Sequence, residues 1–195
     1  MSLHALIDAL SASDPQMSEA ARRALLAEGE SVLDELIEVI PRLAPRSLMK
    51  VISVLGAQPL PRCEAALLSL LSHDHNLIRL SVVQALGNFT SENACLALIE
   101  QLNSSDVLIQ ISAATSLGKL GNPLALEAMV AQLLRTPEPT VRYSIIRALG
   151  QLGDPRAVEV ILRFADDPNH HVRNDVRRAL ERLGASLPPE SSPKD

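Results

Sequence analysis

Apolar positions along the chain come in short amphipathic runs, each closed by a turn signal. In VRYSIIRALGQLG (141–153), Val141, Ile145, Ala148, Leu149 and Leu152 keep the i, i+3, i+4 spacing of one helix face, and Gly153 follows as a helix stop. The next run, DPRAVEVILRFA (154–165), places Ala157, Val158, Ile161, Leu162 and Ala165 on one face. Runs at 91–102 and 122–134 match it, with Ser91, Asn122 and Asp154 where an N-cap belongs. Pro123 and Pro155 fall at the first helical position, where a missing N–H costs little. Second helices are predicted to begin near Leu77, Val107, Thr140 and His171, and Gly121 serves as a stop like Gly153.

These pairs repeat. Leu55-Gly56, Leu86-Gly87, Leu117-Gly118 and Leu149-Gly150 are followed by Leu180-Glu181, at spacings of 31, 31, 32 and 31. One extra residue near Arg135–Pro137 accounts for the longer interval. Upstream, 31–40 with 46–56, and 4–10 with 15–29, read as two diverged pairs. A two-helix unit cannot bury its apolar face alone, so neighbours must stack. The expectation is an all-α, right-handed α-solenoid of about six helix pairs. It forms a single domain over 1–184, with diverged repeats at 1–54 and regular ones at 55–184. The tail 185–195, rich in Pro and Ser, is expected to be disordered.

The phrase GDPRAVEVILRFADDPNHHVRNDVRRALERLG (153–184) resembles the HEAT-like repeat of the phycobilisome (PBS) lyase type. It carries the Gly-Asp-Pro-Arg-Ala turn, the acidic inter-helix turn, the Val-Arg start of the second helix and the closing Ala-Leu-x-x-Leu-Gly. The resemblance implies the armadillo-type fold. It also admits several activities, because proteins with such repeats include bilin lyase subunits, hydroxylases, glycosylase-like proteins and scaffolds.

Composition narrows the classes. Hydrophobic residues make up 47% and aromatics only 2%, so Leu, Ala, Val and Ile build the core. The formal net charge is −5. Residues 135–183 hold nine Lys/Arg against seven Asp/Glu, and 1–134 hold eight against fourteen. That weak gradient, with so few aromatics, argues against a nucleic-acid partner. No apolar run approaches the ~20 residues of a membrane span, and no signal peptide is evident, so a cytoplasmic location is expected. Cys63 and Cys95 lack metal or disulfide spacing and read as small packing residues.

Candidate chemistry is sparse. His4, His73, His75, His170 and His171 are too scattered to converge on a metal, and none precedes a Glu as in HEAT-like iron hydroxylases. Neither a metal nor a cofactor is expected, and no catalytic residue is assigned. Arg79, Gln110, Arg142 and Arg173 form a column, with Asp74, Asp106, Glu138 and Asp167 just upstream. An Arg–carboxylate ladder between neighbouring turns is expected, interrupted and weakened at Gln110.

The outward face of the second helices remains. Its stripes are Leu80, Gln84 and Asn88; Ile111, Thr115 and Lys119; Tyr143, Arg147 and Gln151; Asn174, Arg178 and Arg182. Met49, Leu80, Ile111 and Tyr143 share a column where solvent alone would favour polar residues. In solenoids of this kind that face is concave. Apolar groups beside Arg147 and Lys119 suit protein binding, with both Tyr143 and Arg147 free of core duties. The expectation is a non-enzymatic scaffold or adaptor whose partner is another protein. The alternative is a phycobilin lyase subunit or chromophore-handling factor, working with a partner chain and a bilin-carrying protein.

Overall fold

A computed structural model of the protein describes residues 3–187. Its elements are α1 (Leu3–Leu10), α2 (Pro15–Ala27), α3 (Ser31–Val39), α4 (Pro45–Gly56), α5 (Pro61–Ser69), α6 (Asn76–Leu86), α7 (Glu92–Gln101), α8 (Val107–Leu120), α9 (Ala125–Arg135), α10 (Pro139–Leu152), α11 (Val158–Leu162) and α12 (His170–Arg182). Three short 3-10 turns accompany them, and no strand occurs among the described residues. The twelve helices form six consecutive pairs, and the fold is the all-α solenoid class expected from the repeat.

The chain divides into two compact units, Met1–Ala94 and Cys95–Asp195. Within the first, Leu10, Leu25, Leu36, Val51, Leu55, Leu67, Ile78 and Leu86 are buried to 1% exposure or less. Within the second, Leu98, Ile109, Leu117, Met129, Ile145, Leu149, Ile161 and Val176 are fully buried. Burying a Leu, Ile, Val or Met side chain contributes about 1.5–3 kcal/mol, so these columns supply the main cohesion.

All three predicted cap side chains accept from the backbone N–H groups that follow them, Ser91 at the start of α7, Asn122 in a turn before α9 and Asp154 at a 3-10 turn. Ser91 Oγ accepts from Ala94 N (3.0 Å), Asn122 Oδ1 from Leu124 N (3.0 Å) and Asp154 Oδ1 from Arg156 N (3.0 Å). Gly121 (φ 67°) and Gly153 (φ 76°) end α8 and α10 in the left-handed conformation that a side chain would strain. Two predicted helices start later than expected: α9 begins at Ala125 with Leu124 at its N-cap, so Pro123 precedes the helix and Asn122 closes a turn instead, and the run from 154 is broken as well. Residues 155–157 form a 3-10 turn, α11 follows over only Val158–Leu162, and Arg163, Phe164 and Ala165 each donate to the carbonyl three residues back.

The Leu-Gly period has a steric origin. A Cβ on Gly56 would lie 2.6 Å from Ala85 Cβ, and one on Gly118 would lie 2.8 Å from Ala148 Cα. On Gly150 it would stand 2.8 Å from both Cα and Cβ of Ala179. Each glycine therefore marks where the next second helix crosses in near-backbone contact. In α12 the same position is the exposed Glu181, and no later helix is present among the described residues.

A second column shows the same change at α12. Ile52, Val83, Ala114 and Ile146 are buried to 1% or less, whereas the aligned Arg177 is exposed. We expect Arg177→Ile to promote self-association, because it places an apolar side chain at an exposed position whose counterparts in earlier repeats are buried. Sedimentation at rising concentration checks this; a variant that stays monomeric would show that this face of α12 does not self-associate when made apolar.

The Arg column differs from expectation. Arg79 Nη1 donates to the His73 (2.7 Å) and Asp74 (3.1 Å) carbonyls. Arg142 Nη1 reaches the Thr136 (3.5 Å) and Pro137 (2.7 Å) carbonyls, and Arg173 Nη1 the Asp167 (2.6 Å) and Pro168 (3.0 Å) carbonyls. Gln110 Nε2 makes the equivalent bond to the Ser104 carbonyl (2.5 Å). Each residue thus clamps the carbonyls five or six residues upstream, closing the turn inside its own pair. The Arg–carboxylate link appears at Arg142, which grips Asp167 of the following pair with Nε (2.9 Å) and Nη2 (3.3 Å). Gln110 keeps the turn of its own pair clamped by this bond.

Of the tail, residues 188–195 lie outside the described residues, so the expectation of disorder falls largely on them. Among those described, no helix is long and apolar enough to cross a membrane.

Candidate functional site

The candidate face is carried by the second helices of the pairs. A helical stripe stepping by four diverges from the buried stripe, and all twelve of its residues escape burial. In the first unit, Leu80 on α6 is half-buried and Gln84 and Asn88 are exposed. Gln84 and Asn88 face Met49 and Ile52 of α4 across a shallow hollow of about 230 Å³. Asn88 Nδ2 donates to the Gly56 carbonyl at 2.8 Å, tying the end of α6 to the end of α4. Leu80 does not line this hollow.

In the second unit the stripe spans three helices, α8, α10 and α12, with α10 packed against both others. Ile111 and Tyr143 are half-buried. Thr115, Lys119, Arg147, Gln151, Asn174, Arg178 and Arg182 are exposed. Thr115 Oγ1 returns its proton to the Ile111 carbonyl (2.8 Å). None of these nine side chains is acidic, so the exposed charges among them are the cations Lys119, Arg147, Arg178 and Arg182.

The centre of this face is more ordered than the sequence suggests. Arg147 is not free: Nη2 meets Asp175 Oδ2 at 2.7 Å, and the Asp175 side chain is only 5% exposed. Arg178 Nη1 stands 3.8 Å from the other carboxylate oxygen. The Arg147 guanidinium carbon lies 5.6 Å from the Tyr143 ring centroid, within cation–π range. Tyr143 in turn meets His171 at 6.0 Å between centroids, and His171 lies against His170 at 3.9 Å. Tyr143 is therefore held from both sides.

Asp175 is the functional residue that helical periodicity does not single out. Its aligned positions are Ser81, Ser112 and Ser144, small hydroxyls that return their protons locally where the bond is resolved: Ser81 to Leu77 and Ser144 to Thr140, each at 2.8 Å. A carboxylate breaking a serine column was the visible signal. A cation one repeat back, Arg147 on α10, is its counterpart.

Other candidate groups are structural. Cys63 and Cys95 are both fully buried, and burial pushes the Cys63 thiol up from its ordinary value. Arg62, beside Cys63, bridges α5 to α3 through Glu30 (2.6 Å) and Asp34 (3.2 Å). Among the described residues no three His, Cys, Asp or Glu side chains are grouped to hold a metal ion.

Residues 96–181 match the family model described as HEAT repeats. No curated protein is significantly similar to the chain in sequence. Among solved structures, it is similar to the complex of CpcE and CpcF of phycocyanin lyase from Nostoc sp. PCC7120. Identity there is 20% and the TM-score 0.65, over 75% of this chain and 96% of that one. It is similar to human deoxyhypusine hydroxylase in complex with glycerol, at 20% identity and TM-score 0.56, covering 93% and 96%. A designed armadillo repeat protein in complex with the peptide (KR)4 aligns at 15% identity and TM-score 0.56, over 94% and 100%. At these identities the likeness is one of fold. Residues 96–181 thus match HEAT repeats, and the chain shares the helical-repeat fold of these solved structures.

Proposed function

We propose that the protein is a non-enzymatic protein-binding scaffold or adaptor, with residues 1–184 as one solenoid domain and no cofactor. Its working surface is the stripe on the second helices. The observation that carries the reading is the face of α8, α10 and α12, where Ile111 and Tyr143 sit among four cations with no acidic side chain on the stripe. A half-buried aromatic pinned by Arg147 and His171 loses little freedom when a partner covers it, which is how interface hot spots gain affinity. The cations favour a partner segment bearing carboxylates.

Tyr143→Ala combined with Arg178→Ala should weaken partner capture by tenfold or more, since each such anchor contributes on the order of 1–2 kcal/mol. Both side chains lie outside the buried columns, so the melting temperature should change little. The partner is captured by a photo-crosslinking residue placed at Gln151, with Arg163, just after α11, as the control position. Undiminished crosslinking in a well-folded double variant would move the binding site off this face.

The second reading, a bilin lyase subunit or chromophore-handling factor, draws on the fold shared with CpcE and CpcF, which form a complex of phycocyanin lyase. It requires the visible spectrum of a bilin, with a bilin-carrying protein present, to shift on mixing. An unchanged spectrum removes it.

A further inference from the structure

We propose that a hollow of the first unit, between the α1–α2 hairpin and α4, binds a phosphomonoester group. Its volume is about 420 Å³, within the size range of small-ligand sites. The side chains that define its chemistry are Ser13, Ser18, Glu19 and Arg22 on the hairpin side and Arg46 and Lys50 on α4. Three cations thus face one carboxylate.

That carboxylate is already occupied. Arg22 grips both Glu19 oxygens, Nε to Oε2 at 2.9 Å and Nη2 to Oε1 at 3.0 Å, and Arg23 Nε adds a bond at 3.1 Å. These hydrogen bonds from Arg22 and Arg23 hold the Glu19 carboxyl down at about 2. Glu19 therefore anchors Arg22 and has little left for α4.

Arg46 and Lys50 have only hydroxyls to meet. Arg46 Nη2 is 3.4 Å from Ser13 Oγ, and Lys50 Nζ is 3.3 Å from Ser18 Oγ. Ser18 gives its one proton to the Leu10 carbonyl (2.7 Å), so its oxygen faces the ammonium as an acceptor and fixes it in place. Neither cation makes an ion pair with a carboxylate among the described residues. Two uncompensated positive charges beside serine hydroxyls match a dianionic phosphomonoester, whose oxygens accept from a guanidinium, an ammonium and a hydroxyl together. A carboxylate would leave one charge unmatched.

The fold does not require these cations. Lys50 occupies the column filled by Ser81, Ser112 and Ser144 in later repeats, and Arg46 the column of Leu77, Leu108 and Thr140. Both are departures from the repeat, and both point into the same hollow.

The test is a set of amide NMR titrations on the full chain. The probes are glycerol 3-phosphate, a phosphoserine peptide, the same peptide unphosphorylated, and acetate. Saturable shifts confined to residues 11–22 and 46–53, lost by about tenfold or more in Arg46→Gln/Lys50→Gln, support the site. Which phosphorylated probe binds tighter tells a free small ligand from a modified protein side chain. Because the double variant removes no ion pair, its melting temperature should match the parent's; Lys50→Met alone serves if it does not. Shifts spread over all surface cations, binding that survives the substitutions, or acetate binding as tightly as the phosphomonoesters would each overturn the proposal.

Discussion

Gly150→Val will unfold roughly 6–12 °C below the parent protein, while Glu181→Val, one repeat on, will melt at nearly the parent temperature. A Cβ at Gly150 meets the Ala179 backbone at 2.8 Å, so α10 and α12 must separate. Overpacking of this kind costs typically 1–3 kcal/mol, and Val adds two further methyls, bringing the loss to about 3 kcal/mol. For a chain of this length each kcal/mol moves the midpoint by about 2–4 °C. Replacing a mid-helix glycine ordinarily gains about 0.5–1 kcal/mol, so the sign of the change decides between the two effects. A Gly150→Val protein that melted at or above the parent temperature would show that the crossing of α10 and α12 is looser than described.

Arg147→Ala will also destabilise, by about 1–3 kcal/mol, and Asp175→Ser will recover most of that loss. The carboxylate is buried to 5% exposure, and after the substitution only Arg178, at 3.8 Å, remains near it. Removing one partner of a fully buried pair costs about 3–5 kcal/mol, but Arg147 is itself 49% exposed, so solvent moderates the penalty. The double variant Arg147→Thr/Asp175→Ser copies the joint one repeat earlier, where Thr115 and Ser144 occupy the aligned positions. Chemical denaturation of the parent, Arg147→Thr, Asp175→Ser and the double variant gives the coupling directly. A strictly additive cycle would show that the 2.7 Å contact contributes nothing. The same result bears on binding: a loss of partner capture in Arg147→Ala mixes stability with recognition, which is why Arg178 accompanies Tyr143 in the capture experiment.

Periodicity made the helix pairs, caps and left-handed stops legible, because each depends on neighbours within one turn of the chain. The buried stripe of α10 is legible for the same reason: Val141, Ile145, Ala148 and Leu149 are all buried, and only Leu152, at the helix end, stays half-exposed. What escaped were contacts between repeats and choices among partners. Acidic residues just upstream make the Arg column resemble a carboxylate ladder, yet an extended guanidinium reaches the carbonyls of its own turn first. The division of 154–165 into a 3-10 turn and a short helix leaves no trace in the apolar spacing, which both geometries satisfy. Asp175 and Lys50 were visible only as exceptions to a column, and a column shows exceptions only after every repeat has been aligned.

The carbonyl clamps turn each pair into a measured joint. Gln110 and Arg142 both reach back six residues, to Ser104 and Thr136, although their repeats differ in length by one. The additional residue therefore lies upstream of Thr136 and is taken up in α9, which runs to Arg135, directly before the clamped loop. Between pairs there is no such ruler: a Cβ at Gly121 would have nothing within 4 Å. A loop grafted after Gly121 should lengthen the protein locally and leave the stack in register, whereas the same graft between Thr136 and Arg142 would unlatch it. The array thus has two kinds of seam, one open to growth and one closed, and natural or engineered elaboration of this protein belongs at the open seam.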